Sequence, residues 1–267
     1  MLTLQALIYS KLVGNNEIFC GVFKSMYTVL EKRDFRLKGI NQIFGEKDFA
    51  NLFSSNVYSV GYNNITLVDA GDGCESNRLA PALKKANLNI QKIINVIITH
   101  SHDDHWGGLA ELVCLIPLNI MVHKDDLPYY QEQFCHLEGI SKSTILGLED
   151  GNIIQTEGHN LKVLHTPGHD SGSICLYDED CKILFTGDTV FASGTTGSAR
   201  SGNTDDLRKS LRRLTTIDAD VILPGHGDIA YTNGREVIRL ALERMTWTNR
   251  ITYNIPYQFK IDTYRKI

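Results

Sequence analysis

Three histidines and two aspartates fall within six positions, at His100-Ser101-His102-Asp103-Asp104-His105. Neutral imidazole nitrogen and carboxylate oxygen are ligands that borderline divalent metals such as zinc accept. His100 and His102 lie two apart beyond the apolar run Ile93 to Ile98, which reads as a buried strand. On extended chain both project to the same side. Asp104 and His105 come after the chain has turned and reach a neighbouring point. One stretch therefore offers two pairs of ligands, the arrangement expected of two adjacent metals. A lone histidine says little, because most are solvated or satisfied in a core. The spaced set His-X-His-X-Asp-His says more, and the rest of the chain decides whether its context supports it.

Three later strands also end in a candidate ligand beside glycine: Leu164-His165-Thr166-Pro167-Gly168-His169, Leu184-Phe185-Thr186-Gly187-Asp188 and Leu223-Pro224-Gly225-His226-Gly227. Glycine lets the backbone turn and approach a site closely. Singly, His169 and His226 read as loop histidines and Asp188 as a cap. Together with the first cluster they supply a third ligand for each metal and a carboxylate able to bridge the two.

The elements that must position these groups follow from hydrophobic period and turn chemistry. Strands are expected at Phe35–Phe44, Asn56–Val60 and Ile65–Asp69, the last two joined by the turn Gly61-Tyr62-Asn63-Asn64. A helix over Asn77–Asn87, capped by Ser76, precedes the metal stretch. Helices over Leu109–Leu115 and Asp125–Phe134 flank a strand at Asn119–His123. Residues 135–160 are polar and read as an irregular lid or connecting loop. Strands follow at Leu161–His165, Ser173–Tyr177, Lys182–Thr186 and Ala219–Leu223. A helix capped by Thr204 buries Leu207, Leu211 and Leu214, and a final helix runs from Gly234 to Thr248. Of the remaining histidines, His123 and His165 at strand ends read as structural, whereas His136 and His159 in the presumed loop read as solvated or facing substrate. Residues 1–36 have spacings that fit either helix or strand. No repeat or linker divides the chain, so residues 1–267 read as one α/β domain with mixed sheets, 1–36 being an N-terminal extension.

Composition excludes several classes. The 267 residues are 42% hydrophobic and 22% charged, ordinary for a soluble enzyme. A net charge of −4 gives no general attraction to nucleic acid or an anionic membrane. No apolar run reaches the length of a membrane span. The first residues carry no base before Lys11 and no small-residue cleavage site, so they read as folded chain in a cytoplasmic protein. The six cysteines, Cys20, Cys74, Cys114, Cys135, Cys175 and Cys181, are scattered and read as small buried hydrophobes under reducing conditions. A small-molecule substrate is the partner expected.

The set Asp69, His100-X-His102-X-Asp104-His105, His169, Asp188 and His226 resembles the metallo-β-lactamase fold superfamily in order and approximate spacing, over roughly Gly39 to Gly227. The resemblance implies a four-layer αβ/βα sandwich of two mixed β-sheets flanked by helices, with the site at one edge. It implies one metal at His100, His102 and His169, and a second at Asp104, His105 and His226, bridged by Asp188. Asp69 would stand behind the ligands and orient them through a hydrogen bond. Two Zn(2+) per chain are implied, with iron or manganese as alternatives, and Asp104 would orient the attacking hydroxide as well as bind metal. His102 stands where flavodiiron-type relatives carry Glu, which argues against an oxygen or nitric-oxide reductase.

The segments Thr166-Pro-Gly-His-Asp-Ser-Gly-Ser173 and Thr186-Gly-Asp-Thr-Val-Phe191 look most like the glyoxalase II group, thioesterases acting on acylglutathiones. That group binds glutathione with basic and tyrosyl residues shortly after the bridging Asp. Here the stretch Ala192 to Arg200 has Arg200 as its one charge. The function implied is a metal-dependent hydrolase of a thioester or ester. A mononuclear iron persulfide dioxygenase, a lactonase and an endoribonuclease on the same scaffold are the alternatives, and a scaffold that has lost its metal is the non-enzymatic one.

Overall fold

The computed structural model describes residues 28–29, 34–44, 54–74, 78–199 and 201–254. The sequence readings for residues 1–27, Ser76, Arg200 and the tail after Asn254 lie outside these.

Two sheets face each other. The first has seven strands in chain order: β1 (Thr28–Val29), β2 (Ile40–Phe44), β3 (Val57–Val60), β4 (Ile65–Val68), β5 (Ile93–Ile97), β6 (Asn119–His123) and β7 (Thr144–Leu148). Pairing is antiparallel from β1 to β4 and parallel from β4 to β7. The second sheet holds β8 (Ile153–Gln155), β9 (Asn160–His165), β10 (Ile174–Asp178), β11 (Ile183–Gly187) and β12 (Val221–Pro224), with β11–β12 parallel and the rest antiparallel.

Strands buried on both faces read as unbroken apolar runs, and here successive side chains serve different layers. Leu67 and Val96 pack outward under helices α1 (Leu79–Lys85), α3 (Leu109–Leu115) and α4 (Leu127–Phe134). Their neighbours Val68 and Ile97 point inward and meet Phe185 and Leu223 of the second sheet. Leu184 and Ile222 pack outward against Leu207, Leu211 and Leu214 of α5 (Thr204–Leu214) and Ile238 of α6 (Gly234–Asn254). The layers are therefore helix, sheet, sheet and helix, as the sequence implied.

Several local readings are corrected. Residues 135–160 are not an open loop: they contain β7 and β8, whose side chains are too exposed to show an apolar period. His159 is buried; its Nδ1 lies 2.5 Å from the Asp178 carboxylate and its Nε2 donates to the Lys38 carbonyl at 2.8 Å. The expected strand from Phe35 begins as a 3-10 turn, because Asp34 accepts from the Arg36 amide and bends the chain. The first helix runs Leu79–Lys85 rather than Asn77–Asn87, and Asn87 takes a left-handed φ of 58° that ends it. Asn203, not Thr204, caps α5, its Oδ1 accepting from the amides of Asp205 and Asp206. Among the described cysteines, Cys74, Cys114 and Cys135 are exposed and only Cys175 is fully buried, so these five are not a buried set.

At the edge opposite the strand C-termini of β4 and β5, Glu157 latches the sheets together. Its carboxylate accepts from the amides of Tyr62, Asn63 and Asn64 in the β3–β4 turn. Three N–H donors on one carboxylate hold it at about 2, below the ordinary glutamate value. This stabilisation is complete above the unfolded value near 4.5 and is lost as pH falls through 2. Glu157→Ala is expected to lower the denaturant midpoint at pH 6, with the gap from wild type narrowing as pH approaches 2. Denaturant unfolding across that range checks it, and a pH-independent gap would refute the latch.

Candidate metal centre

The cluster forms where chain ends from both sheets meet. After β5 the backbone passes Ile98 and bends from Thr99 to Ser101, so His100 and His102 do not sit on extended chain as expected, and it then enters α2 (Asp103–Trp106), a one-turn helix that the sequence did not announce. This turn separates the cluster into two groups, as the spacing had indicated. His169 follows β9, Asp188 follows β11 and His226 follows β12.

His100 Nε2, His102 Nδ1 and His169 Nε2 form a triangle with edges of 3.0, 3.2 and 2.9 Å. Nitrogens bound tetrahedrally to zinc lie about 3.4 Å apart, so one small cation fits this triangle with slight expansion. Beside it, His226 Nε2 lies 2.9 Å from Asp104 Oδ2 and 3.3 Å from His105 Nε2. Asp188 stands between the groups. Its Oδ1 is 3.4 Å from His105 Nε2, and its Oδ2 is 3.6 Å from His169 Nε2 and 3.8 Å from His226 Nε2. Asp188 Oδ1 is buried without a hydrogen-bond partner. A buried carboxylate oxygen left unpaired is costly, and a cation at this position would satisfy it. Gly225 makes the closeness possible: a Cβ there would collide with Asp188 Oδ1 and reach within 2.7 Å of His105 Cε1.

Acceptors behind the rings fix which nitrogen is free. His169 Nδ1 donates to the Ser198 carbonyl at 2.7 Å, and His105 Nδ1 to Asp69 Oδ2 at 2.8 Å. The Thr99 hydroxyl gives its one proton to Asp69 Oδ2, so toward His100 Nδ1, 3.1 Å away, it acts as acceptor. In the neutral form of each ring Nε2 keeps its lone pair for the cluster, the arrangement metal-binding histidines use. Asp69 itself has φ 59°, a left-handed conformation uncommon for non-glycine residues. It accepts from the Thr99 amide at 2.8 Å as well.

The electrostatics divide the same way. Burial, reinforced by the imidazoles around it, pushes His100 well below its ordinary range, and burial lowers His169 too. Burial opposes charge on His105, but the carboxylates of Asp69 and Asp188 outweigh it and raise that imidazole. Burial likewise acts against a charged Asp188, yet His105, His226 and His169 keep it ionised. The surroundings of His100 and His169 favour neutral rings, and those of His105 and His226 favour positive charge.

All eight residues singled out in the sequence lie in this cluster or, for Asp69, directly behind it. Residues not singled out complete it. Asp170 accepts from the amide and hydroxyl of Ser101, pinning the turn between His100 and His102. Trp106 Nε1 donates to the Ser101 carbonyl, and Tyr130 to the His100 carbonyl. An acid immediately after a ligand histidine was the available signal for Asp170; the aromatic pair had none. Beside His226, a cavity of about 560 Å³ lined by Phe191, Ala192, Ser193, Gly227 and Asp228 has room for a small molecule. No described helix is long and apolar enough to cross a membrane.

Residues 50–226 match the family model described as the metallo-beta-lactamase superfamily, and the chain belongs to that family. It is 33% identical over 156 residues to a hydroxyacylglutathione hydrolase of Shewanella halifaxensis, covering 58% of this chain and 53% of the relative. An atrochrysone carboxyl ACP thioesterase of Aspergillus fumigatus is 28% identical over 202 residues, covering 75% of this chain and 58% of the relative. The chain thus spans somewhat more than half the length of these curated relatives. Among solved structures, a protein crystallised in a di-iron-bound form is 29% identical with a TM-score of 0.54, covering 68% of this chain and 91% of that one.

Asp126 lies just outside the cluster. It is 6% exposed, its Oδ2 has no hydrogen-bond partner, and its carboxyl packs on Gly172 in the loop that carries His169. Burial, with Asp170 and Asp125 nearby, raises it to about 7. Stability from this raised group is complete below the unfolded value near 4 and is lost as pH rises through 7. Asp126→Asn is therefore expected to gain about 2 kcal/mol over wild type at pH 8 but little at pH 4. Thermal unfolding at the two pH values checks this; parallel curves would count against it.

Proposed function

We propose that the chain is a metal-dependent hydrolase acting on a thioester or ester of a small molecule, with two metal positions per chain. The single observation that carries this reading is Asp188, buried with one orphaned oxygen, between a three-nitrogen group and a second group that includes a carboxylate. His100, His102 and His169 would hold one ion; Asp104, His105 and His226 the second; Asp188 would bridge them. The donor set of imidazole and carboxylate suits zinc, and the same set accepts iron or manganese. A divalent pair held by these residues would supply Lewis acidity, lowering the pKa of water and polarising a carbonyl.

The chain's own residues do the rest. Asp104, whose carboxylate burial opposes but His226 and His105 keep ionised, accepts a proton from the attacking water or orients it. Asp69 and Thr99 hold His105 and His100 in the tautomers that face the pair. The cavity at Phe191 and Ala192 receives an apolar part of the substrate. Relatives named for hydroxyacylglutathione and acyl-carrier-protein substrates support the thioester class. A cytoplasmic, small-molecule enzyme is the setting we propose.

Elemental analysis of the purified protein, beside a panel of thioesters, esters and lactones, tests the reading. About two zinc per chain are expected, with thioester hydrolysis abolished by chelation and restored by zinc. His102→Ala should lose about one equivalent and at least about 100-fold in kcat/KM. One iron per chain with oxygen uptake on a persulfide would overturn the proposal in favour of a dioxygenase.

A further inference from the structure

The histidines of the first group differ in how their rear nitrogens are held. His100 and His169 present Nε2, and acceptors behind their Nδ1 atoms fix them: Thr99, which is itself committed to Asp69, and the Ser198 carbonyl. His102 is turned the other way and presents Nδ1. Neither its own strand nor α2 offers an acceptor to its Nε2. The partner comes instead from the far side of the site, from the loop between β11 and α5. Ser201 Oγ lies 2.7 Å from His102 Nε2.

The serine hydroxyl is spoken for on its other side. It donates to the carbonyl of His169 at 3.1 Å. A hydroxyl has one proton, and this one is committed to a group that can only accept. Toward His102 the oxygen must therefore act as acceptor, so His102 Nε2 carries the hydrogen and Nδ1 the lone pair. The loop is placed to hold this geometry. Ser201 forms a parallel bridge with Asp170, Asn203 donates its amide to the Gly168 carbonyl at 2.9 Å, and Gly202 packs on the Gly168 carbonyl. Asn203 in turn caps α5, so the helix, the loop and the ligand turn form one unit.

We propose that Ser201 is a positioning residue: it imposes the Nε2–H tautomer on His102 and ties that ring to His169, completing the first metal position. This rests on the metal reading of the cluster. A serine hydroxyl is a weaker acceptor than the carboxylate behind His105, so the first position depends on orientation rather than on added basicity. Removing the hydroxyl frees the ring to rotate and to change tautomer, while the second position, which Ser201 does not touch, is left intact.

The test is a titration of metal-free protein with Co(2+), followed by visible absorption, for wild type, Ser201→Ala and Ser201→Thr. Wild type is expected to take about two equivalents. Ser201→Ala is expected to bind one of them unchanged and the other about 10-fold more weakly, with Ser201→Thr restoring both. Imidazole nitrogen NMR of the metal-free protein gives a readout independent of metal and of activity. His102 should be an Nε2–H tautomer in wild type and in Ser201→Thr, and a mixture in Ser201→Ala. If Ser201→Ala binds both equivalents as wild type does with His102 unchanged, the role of Ser201 is refuted and the metal centre stands. Wild type that binds no Co(2+) overturns the metal reading and this proposal together.

Discussion

A buried carboxylate must be surrounded by donors or it will not stay ionised, and Asp69 meets that condition with three. It sits one residue beyond β4 in a strained left-handed conformation, 2% exposed, and accepts from the Thr99 amide, the Thr99 hydroxyl and His105 Nδ1. Those bonds join the ends of β4 and β5 to the one-turn helix α2. They also fix two of the cluster's imidazoles, one directly and one through a threonine. Hydrogen bonds to a charged group are worth more than neutral ones, and burial strengthens them further. The positions of His100 and His105, and through them the separation into two groups, depend on this one side chain.

The cluster has two electrostatic characters because its outer partners differ. The group of His100, His102 and His169 is backed by hydroxyls and a carbonyl, all neutral. The group of Asp104, His105 and His226 contains one carboxylate and is backed by another at Asp69. Asp188 belongs to both and is fully satisfied by neither. A pair of cations placed here would meet unequal surroundings, and Asp188 would be the side chain they share.

Much of this was legible in the sequence, for physical reasons that vary by element. Strands buried on both faces announce themselves as apolar runs, so β4, β5, β11 and β12 were found within a residue or two. The clustered histidines and carboxylates stood out because a metal would restrict residue type and because they come after such strands. β7 and β8 were not, since they form sheet edges whose exposed side chains carry no period. His159 was misplaced for the same reason: its burial against Asp178 comes from a partner strand, not from its own neighbours. Ser201 and Asp126 could not be read at all, because a serine or aspartate acquires its role only from what folding brings beside it. Caps were confused by one position where Asn203 and Thr204 both have capping side chains.

The donors of the cluster come from the first sheet at His100 to His105 and from the second at His169, Asp188 and His226. Among the described residues, none of this cluster's three-donor groups is complete within either sheet. Each requires segments separated by dozens of residues to be brought together, which is a late and entropically expensive event in folding. Uptake of an ion there would for that reason be tied to the docking of the sheets rather than to the formation of either. An ion held there would act as a rivet across the sandwich at one edge, opposite the Glu157 latch at the other. The same atoms that do chemistry would then also slow the opening of the protein's two halves.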